Sequence, residues 1–152
     1  MKITDLLQKK TIITDLQARD KKGVLEELVT PIAEIVNISR QELVRVLMER
    51  ERLGSTGIGD GIGIPHGKIQ GMETIVIGCG VSKHGVNFQS LDNRPTHLFF
   101  LILTPEESTG LHLRILAQLS KLLKNESFRE KLLKASDKEK IHAIIAEEDE
   151  EF

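Results

Sequence analysis

The chain has neither tryptophan nor tyrosine, and its aromatic share is only 3%. It therefore lacks the stacking surfaces on which single-stranded nucleic acids are held, and its core must be packed mainly from aliphatic side chains. A single cysteine, Cys79, excludes an internal disulfide and the disulfide-stapled secreted scaffolds, so a reducing compartment is expected. Charge of one sign is also missing. The 21 basic and 23 acidic residues leave a net charge of −2, which offers no footprint for nucleic acid or an anionic membrane. No apolar run approaches the ~18 residues of a membrane span, and the opening Met1-Lys2-Ile3-Thr4-Asp5 carries acid early. Together these absences predict a cytoplasmic protein with no nucleic acid and no membrane insertion. At 152 residues, one domain with a substantial core is expected.

What the chain does have is concentrated glycine. Gly54, Gly57, Gly59, Gly61 and Gly63 lead into His66, which stands between Pro65 and Gly67 and is followed by Lys68. Glycine opens positive φ and lets backbone N–H groups come close to a ligand, while Pro65 fixes its own φ and keeps Ile64 extended. Two nucleotide motifs fail by register. A P-loop ending at Gly67-Lys68 would need glycine at Ile62 and a hydroxyl at Ile69, and G-x-G-x-x-G would need glycine at Ile62 or His66. The segment reads either as a histidine displayed to a partner or an anion, or as a glycine-rich hairpin with an exposed histidine.

Other chemistries find less support. A metal site drawn from His66, His112, Cys79 and Asp60 has no local ligand spacing, so no metal is expected. Ser55 and Ser90 lack the G-x-S-x-G elbow of serine hydrolases, and Cys79 lies in an apolar run as a small core residue. His84 reads as a turn residue, His97 as a strand start and His142 as a helix residue.

Periodicity organises the remainder. Leu25, Leu28, Ile32 and Ile35 form a helical stripe that Pro31 should kink or divide. Ser39 and Glu42 form a capping box ahead of Leu43, Val44, Leu47 and Met48, with Arg50 in the last turn and Gly54 closing the helix. Thr11-Ile12-Ile13, residues 74–81 and residues 97–103 read as strands, the last two buried on both faces. Thr104 with Glu107 suggests a second capping box, unless Ser108-Thr109-Gly110 interrupts that turn and the main helix starts afresh close to His112; that helix carries His112 on the face of Ile115, Leu116 and Leu123. Helices follow at 128–134 and 138–146, the latter opened by Ser136. The tail 147–152, acidic from Glu147 to Glu151, reads as a frayed, solvated end on a domain spanning 1–146. Alternating helices and apolar strands predict an α/β class: a central mixed sheet with helices on both faces.

The string from Gly54 to Lys68, with Glu49-Arg50-Glu51 before it and Leu111-His112-Leu113 after it, resembles the type-2 enzyme IIA domains of the bacterial phosphotransferase system. The resemblance runs from about Ile3 to Ile145. It looks most like the nitrogen-regulatory branch through Leu53–Gly59 and His66-Gly67-Lys68. It implies that His66 accepts a phosphoryl group through Nε2 from an HPr-type phosphohistidine protein, with Arg50 and His112 supporting the transfer and no cofactor or metal at this step. Arg50 otherwise reads as part of a solvated helix end, and His112 as a semi-buried packing residue. Backbone N–H groups around Ser55–Gly59 are expected to add an anion-binding nest. The resemblance further implies either regulatory target proteins that distinguish the phosphorylated state, or a IIB acceptor in carbohydrate uptake. Because no IIB-like or membrane segment is attached in this chain, the regulatory alternative is expected.

Overall fold

In the computed structural model, which describes Met1–Phe152, the apolar run Thr96–Pro105 forms the central strand of a six-stranded mixed sheet. In chain order the elements are β1 (Leu7–Ile13), α1 (Lys21–Val36), α2 (Arg40–Arg52), β2 (Gly57–Gly59), β3 (Ile62–Gly63) and β4 (His66–Ile69). They continue with β5 (Val76–Val86), β6 (Thr96–Pro105), α3 (Thr109–Leu123), α4 (Glu126–Lys134) and α5 (Lys138–Glu148). The sheet runs β1-β5-β6-β3-β2, and β4 lies beside β6 on the same side as β3. Strand β5 is antiparallel to β6, whereas β1 is parallel to β5 and both β3 and β4 are parallel to β6.

Helices cover both faces, as the alternating pattern predicts. Leu98, Phe100 and Ile102 of β6 pack under α3, α4 and α5 with Ile115, Leu119, Phe128, Leu132, Ile141 and Ile145. Phe99, Leu101 and Leu103 point the other way, against Leu25, Leu28, Ile32, Leu43 and Leu47 of α1 and α2. Period-2 alternation thus divides one continuous apolar run between two cores.

Several local expectations need correction. Helix α1 is not divided at Pro31 but runs as one helix through it. Proline within a helix costs roughly 3 kcal/mol. The buried Leu25, Leu28, Val29 and Ile32 offset this, each contributing about 1.5–3 kcal/mol on burial. Thr104 caps no helix. It is buried within β6, and Ser108 takes the N-cap position of α3. Asp137, not Ser136, caps α5 by accepting from Lys140 N. His84 lies within β5 rather than in a turn.

The acidic end is not frayed throughout. Helix α5 continues to Glu148, and the buried Asp149 carboxylate accepts from Ile3 N at 3.1 Å, Thr4 N at 2.8 Å and Thr4 Oγ1 at 3.1 Å. Hydrogen bonds to a charged group contribute about 1.5–3 kcal/mol, so Asp149→Ala should lower unfolding free energy by about that amount in urea titrations. Glu147→Ala, at an exposed position, should change it by less than about 0.5 kcal/mol. Equal effects from the two substitutions would mean that the Asp149 contacts contribute nothing.

Candidate active site

The glycine string folds as an edge. Strands β2 and β3 form a hairpin whose two turn residues, Asp60 and Gly61, both have positive φ (56° and 76°), the geometry that favours Asp-Gly at this position. From there residues 62–69 run parallel to β6 in one unbroken register, with Ile62 opposite Leu98, His66 opposite Ile102 and Lys68 opposite Thr104. Pro65 interrupts the named strands because it has no N–H to donate, yet its carbonyl still accepts from Ile102 N at 3.0 Å. Strand β4 pairs with no other strand, so His66 sits half-buried on a free sheet edge.

Three elements converge there. Alternation turns His66 and Lys68 toward the face covered by α3, which supplies His112. Gly67 turns toward α2, where an added Cβ would stand 3.1 Å from Val46 Cγ1. Glycine therefore lets α2 approach closely enough for Arg50 to reach around the edge. Arg50, His66, Lys68 and His112, with the apolar Val46, Leu113 and Leu116, line an open depression of about 390 Å³.

The histidine rings lie 5.3 Å apart between centroids, inclined at 64°. His66 Nδ1 is 2.7 Å from the carbonyl oxygen of Ile64. A carbonyl can only accept, so Nδ1 carries the hydrogen and the neutral ring keeps its lone pair on Nε2. Burial lowers the His66 pKa below the ordinary imidazole value; the Ile64 bond opposes that shift, the Arg50 charge adds to it and Glu51 opposes it. His112 is 5% exposed, and burial, followed by the charges of His66 and Lys68, pulls its pKa down to about 4. Both rings are consequently neutral near pH 7.

The cations are held by backbone and hydroxyl groups. Arg50 Nη1 donates to Gly54 O at 2.8 Å, and Lys68 Nζ donates to Thr109 Oγ1 at 2.7 Å. The turn carrying Gly54 is secured by the buried Glu51, which accepts from Thr56 N at 3.1 Å, from the Thr56 hydroxyl and from Lys21 Nζ at 2.8 Å. The Lys21 ammonium also lies 4.8 Å from the centroid of Phe88. These contacts alter the expected nest: Thr56 N is spent on Glu51 and Gly57 N on Ser55 Oγ, so neither is presented to an anion.

His66, Arg50 and His112 are thus brought together. His97 is elsewhere, with Nδ1 2.8 Å from Ser82 O, and His142 lies on α5. Cys79 is buried in β5 with its thiol pushed up to about 12. No three His, Cys, Asp or Glu side chains converge as a metal-ligand set. Sequence reasoning did not single out Lys68 as a lining residue, although its period-2 spacing from His66 on a strand was a usable signal. Lys21 and Thr104 gave none, because their partners come from other elements.

A sequence profile for the phosphoenolpyruvate-dependent sugar phosphotransferase system, EIIA 2, matches residues 5–148. The chain is 40% identical over 150 residues to the fructose-specific EIIABC component of the phosphotransferase system of Bacillus subtilis, covering 98% of this chain but only 24% of that protein. It is 35% identical over 146 residues to a nitrogen regulatory protein of Bradyrhizobium diazoefficiens, covering 96% and 95% of the two chains. The crystal structure of nitrogen regulatory protein IIA-Ntr from Neisseria meningitidis superposes with a TM-score of 0.89 at 33% identity, over 94% of this chain and 98% of that one. Fold, profile and full-length relatives agree: this chain belongs to the type-2 EIIA family of the phosphotransferase system.

Proposed function

We propose that this protein is a phosphocarrier that takes a phosphoryl group onto His66 Nε2 from an HPr-type phosphohistidine protein. The observation that carries the reading is the Nδ1–H bond to Ile64 O, which leaves the Nε2 lone pair free beside Arg50 and His112. In the transfer, that lone pair forms the new N–P bond. The P–N bond to the donor imidazole breaks, and its electron pair returns to the donor ring. The His66 Nδ1 proton stays on the ring, where the Ile64 carbonyl meets the positive charge that develops. The transition state spreads negative charge over the equatorial oxygens, so catalysis is largely positioning and electrostatics. Arg50 supplies a planar fork for those oxygens, and neutral His112 one N–H.

We assign the carrier a regulatory role in the cytoplasm, exerted through target proteins that distinguish its phosphorylated and free states. Support comes from relatives that match along almost their entire length and are named nitrogen regulatory proteins. A phosphoryl group on a free sheet edge adds charge and acceptor oxygens where a partner would dock. A second reading is favoured by the 40% identity to a fructose-specific EIIABC component: delivery of the phosphoryl group to a IIB protein during sugar uptake. No helix is long and apolar enough to cross a membrane.

His66→Ala should abolish phosphoryl uptake from the phosphorylated donor while leaving the circular dichroism unchanged. Removing one positioned donor commonly costs ~10²–10³ in rate, so Arg50→Ala and His112→Ala should each slow transfer to that extent, with Arg50→Lys intermediate. Wild-type single-turnover rates in both alanine variants would remove these residues from the mechanism.

The pH dependence has a definite sign. Protonation removes the Nε2 lone pair, so uptake should fall on acidification, with its midpoint below the ordinary imidazole value of 6.5 because burial depresses the His66 pKa. A midpoint above that value in single-turnover measurements would contradict the description of the His66 environment.

Regulation and transport separate in one comparison. Pull-downs with free, phosphorylated and His66→Ala protein should recover a target whose affinity differs between phosphorylation states by ~1–3 kcal/mol, the usual size of a coupling energy. Identical partners at equal affinity, together with rapid transfer to a IIB protein, would favour transport instead.

A further inference from the structure

The Thr104 hydroxyl is fully buried in β6, 2.9 Å from His112 Nδ1, and makes no other hydrogen bond. Its neighbour in register is Lys68 on β4, so it lies beneath the residues that line the depression, bonded to the second histidine from behind. A hydroxyl can donate or accept, and the surroundings decide which. If His112 Nδ1 carried the ring proton, Thr104 would have to accept it and would leave its own hydrogen buried with no acceptor. If Thr104 donates, both groups are satisfied. The second arrangement is favoured on the order of tenfold or more.

We propose that Thr104 is a positioning residue that holds His112 as the Nε2–H tautomer, so that the two histidines carry opposite tautomers. His66 is tied at Nδ1 by the Ile64 carbonyl and offers a lone pair, while His112 is tied at Nδ1 by the Thr104 hydroxyl and offers a hydrogen-bond donor. The same phosphoryl group can then meet a nucleophile and a donor without any proton moving first. The purpose assigned to the pair rests on the phosphocarrier reading above; the tautomer itself does not.

Long-range ¹H–¹⁵N spectra of imidazole-labelled protein at neutral pH read the tautomer directly and need no phosphoryl donor. The expected result is an unprotonated Nδ1 and a protonated Nε2 for His112, with the reverse pattern for His66. Thr104→Val, which keeps the shape and removes the hydroxyl, should draw the two His112 nitrogen signals toward each other. It should also slow phosphoryl uptake about tenfold in kcat with KM for the donor unchanged, the scale at which lost support of a reacting group is felt. Thr104→Ser should restore both the spectrum and the rate. A wild-type His112 carrying its proton on Nδ1, or Thr104→Val spectra identical to wild type, would overturn the proposal. Should the valine variant fold poorly, the wild-type and serine spectra still decide. A wild-type protein with the expected tautomers that accepts no phosphoryl group would support the Thr104 assignment and refute the carrier reading instead.

Discussion

The edge of β6 from Leu98 to Pro105 is occupied by one parallel run, residues 62–69, and the register of that pairing decides which side chains meet at the depression. A one-residue slip would turn His66 and Lys68 toward α2 and bring Gly67 to face α3. The correct register is secured by the Asp60-Gly61 turn at one end and by the buried Ile62, Ile64 and Ile69 along its length. Pro65 then does two things at once. It withholds a donor, which interrupts the pairing that β4 resumes in the same register, and it keeps Ile64 extended, with the Ile64 carbonyl available to His66 Nδ1.

Electrostatics follows from burial. The site gathers two cations and two imidazoles within one small depression, an arrangement that works because both imidazoles are neutral near pH 7. The opposing carboxylate, Glu51, is turned away from the depression and spent on Thr56 and Lys21. Breaking one member of a buried ion pair typically costs about 3–5 kcal/mol, so this arrangement resists loosening and holds the Gly54 carbonyl where Arg50 needs it. The side-chain charges that line the depression are therefore positive, Arg50 and Lys68, while the Glu51 carboxylate is internal and paired with Lys21.

Much of this was legible in the sequence, for identifiable reasons. Continuous apolar runs marked β5 and β6, the Ser39-Glu42 pair marked the start of α2, and the glycine-proline context marked His66. The errors occurred where tertiary contacts overrode local rules. Pro31 remains inside α1 because four neighbouring aliphatics are buried against the sheet. Thr104-Pro105 carries the local pattern of a helix start, but the last β6 residues pair with Lys68 and Ile69 instead. Asp149 looks like one more acid in a solvated tail until the Ile3 and Thr4 amides are seen beneath it. Arg50 and His112 had ordinary surroundings in sequence, and only the family resemblance singled them out before the fold placed them beside His66.

In this type-2 EIIA fold the Ile64 carbonyl occupies His66 Nδ1 and leaves Nε2 open, and the proposed phosphoryl transfer runs through that nitrogen. Phosphorylating imidazole-¹⁵N-labelled protein with an HPr-type donor chain and recording ³¹P–¹⁵N couplings tests this most directly. A single coupling from phosphorus to His66 Nε2 is the expected result; a coupling to Nδ1, or phosphorus on any other residue, would contradict the account.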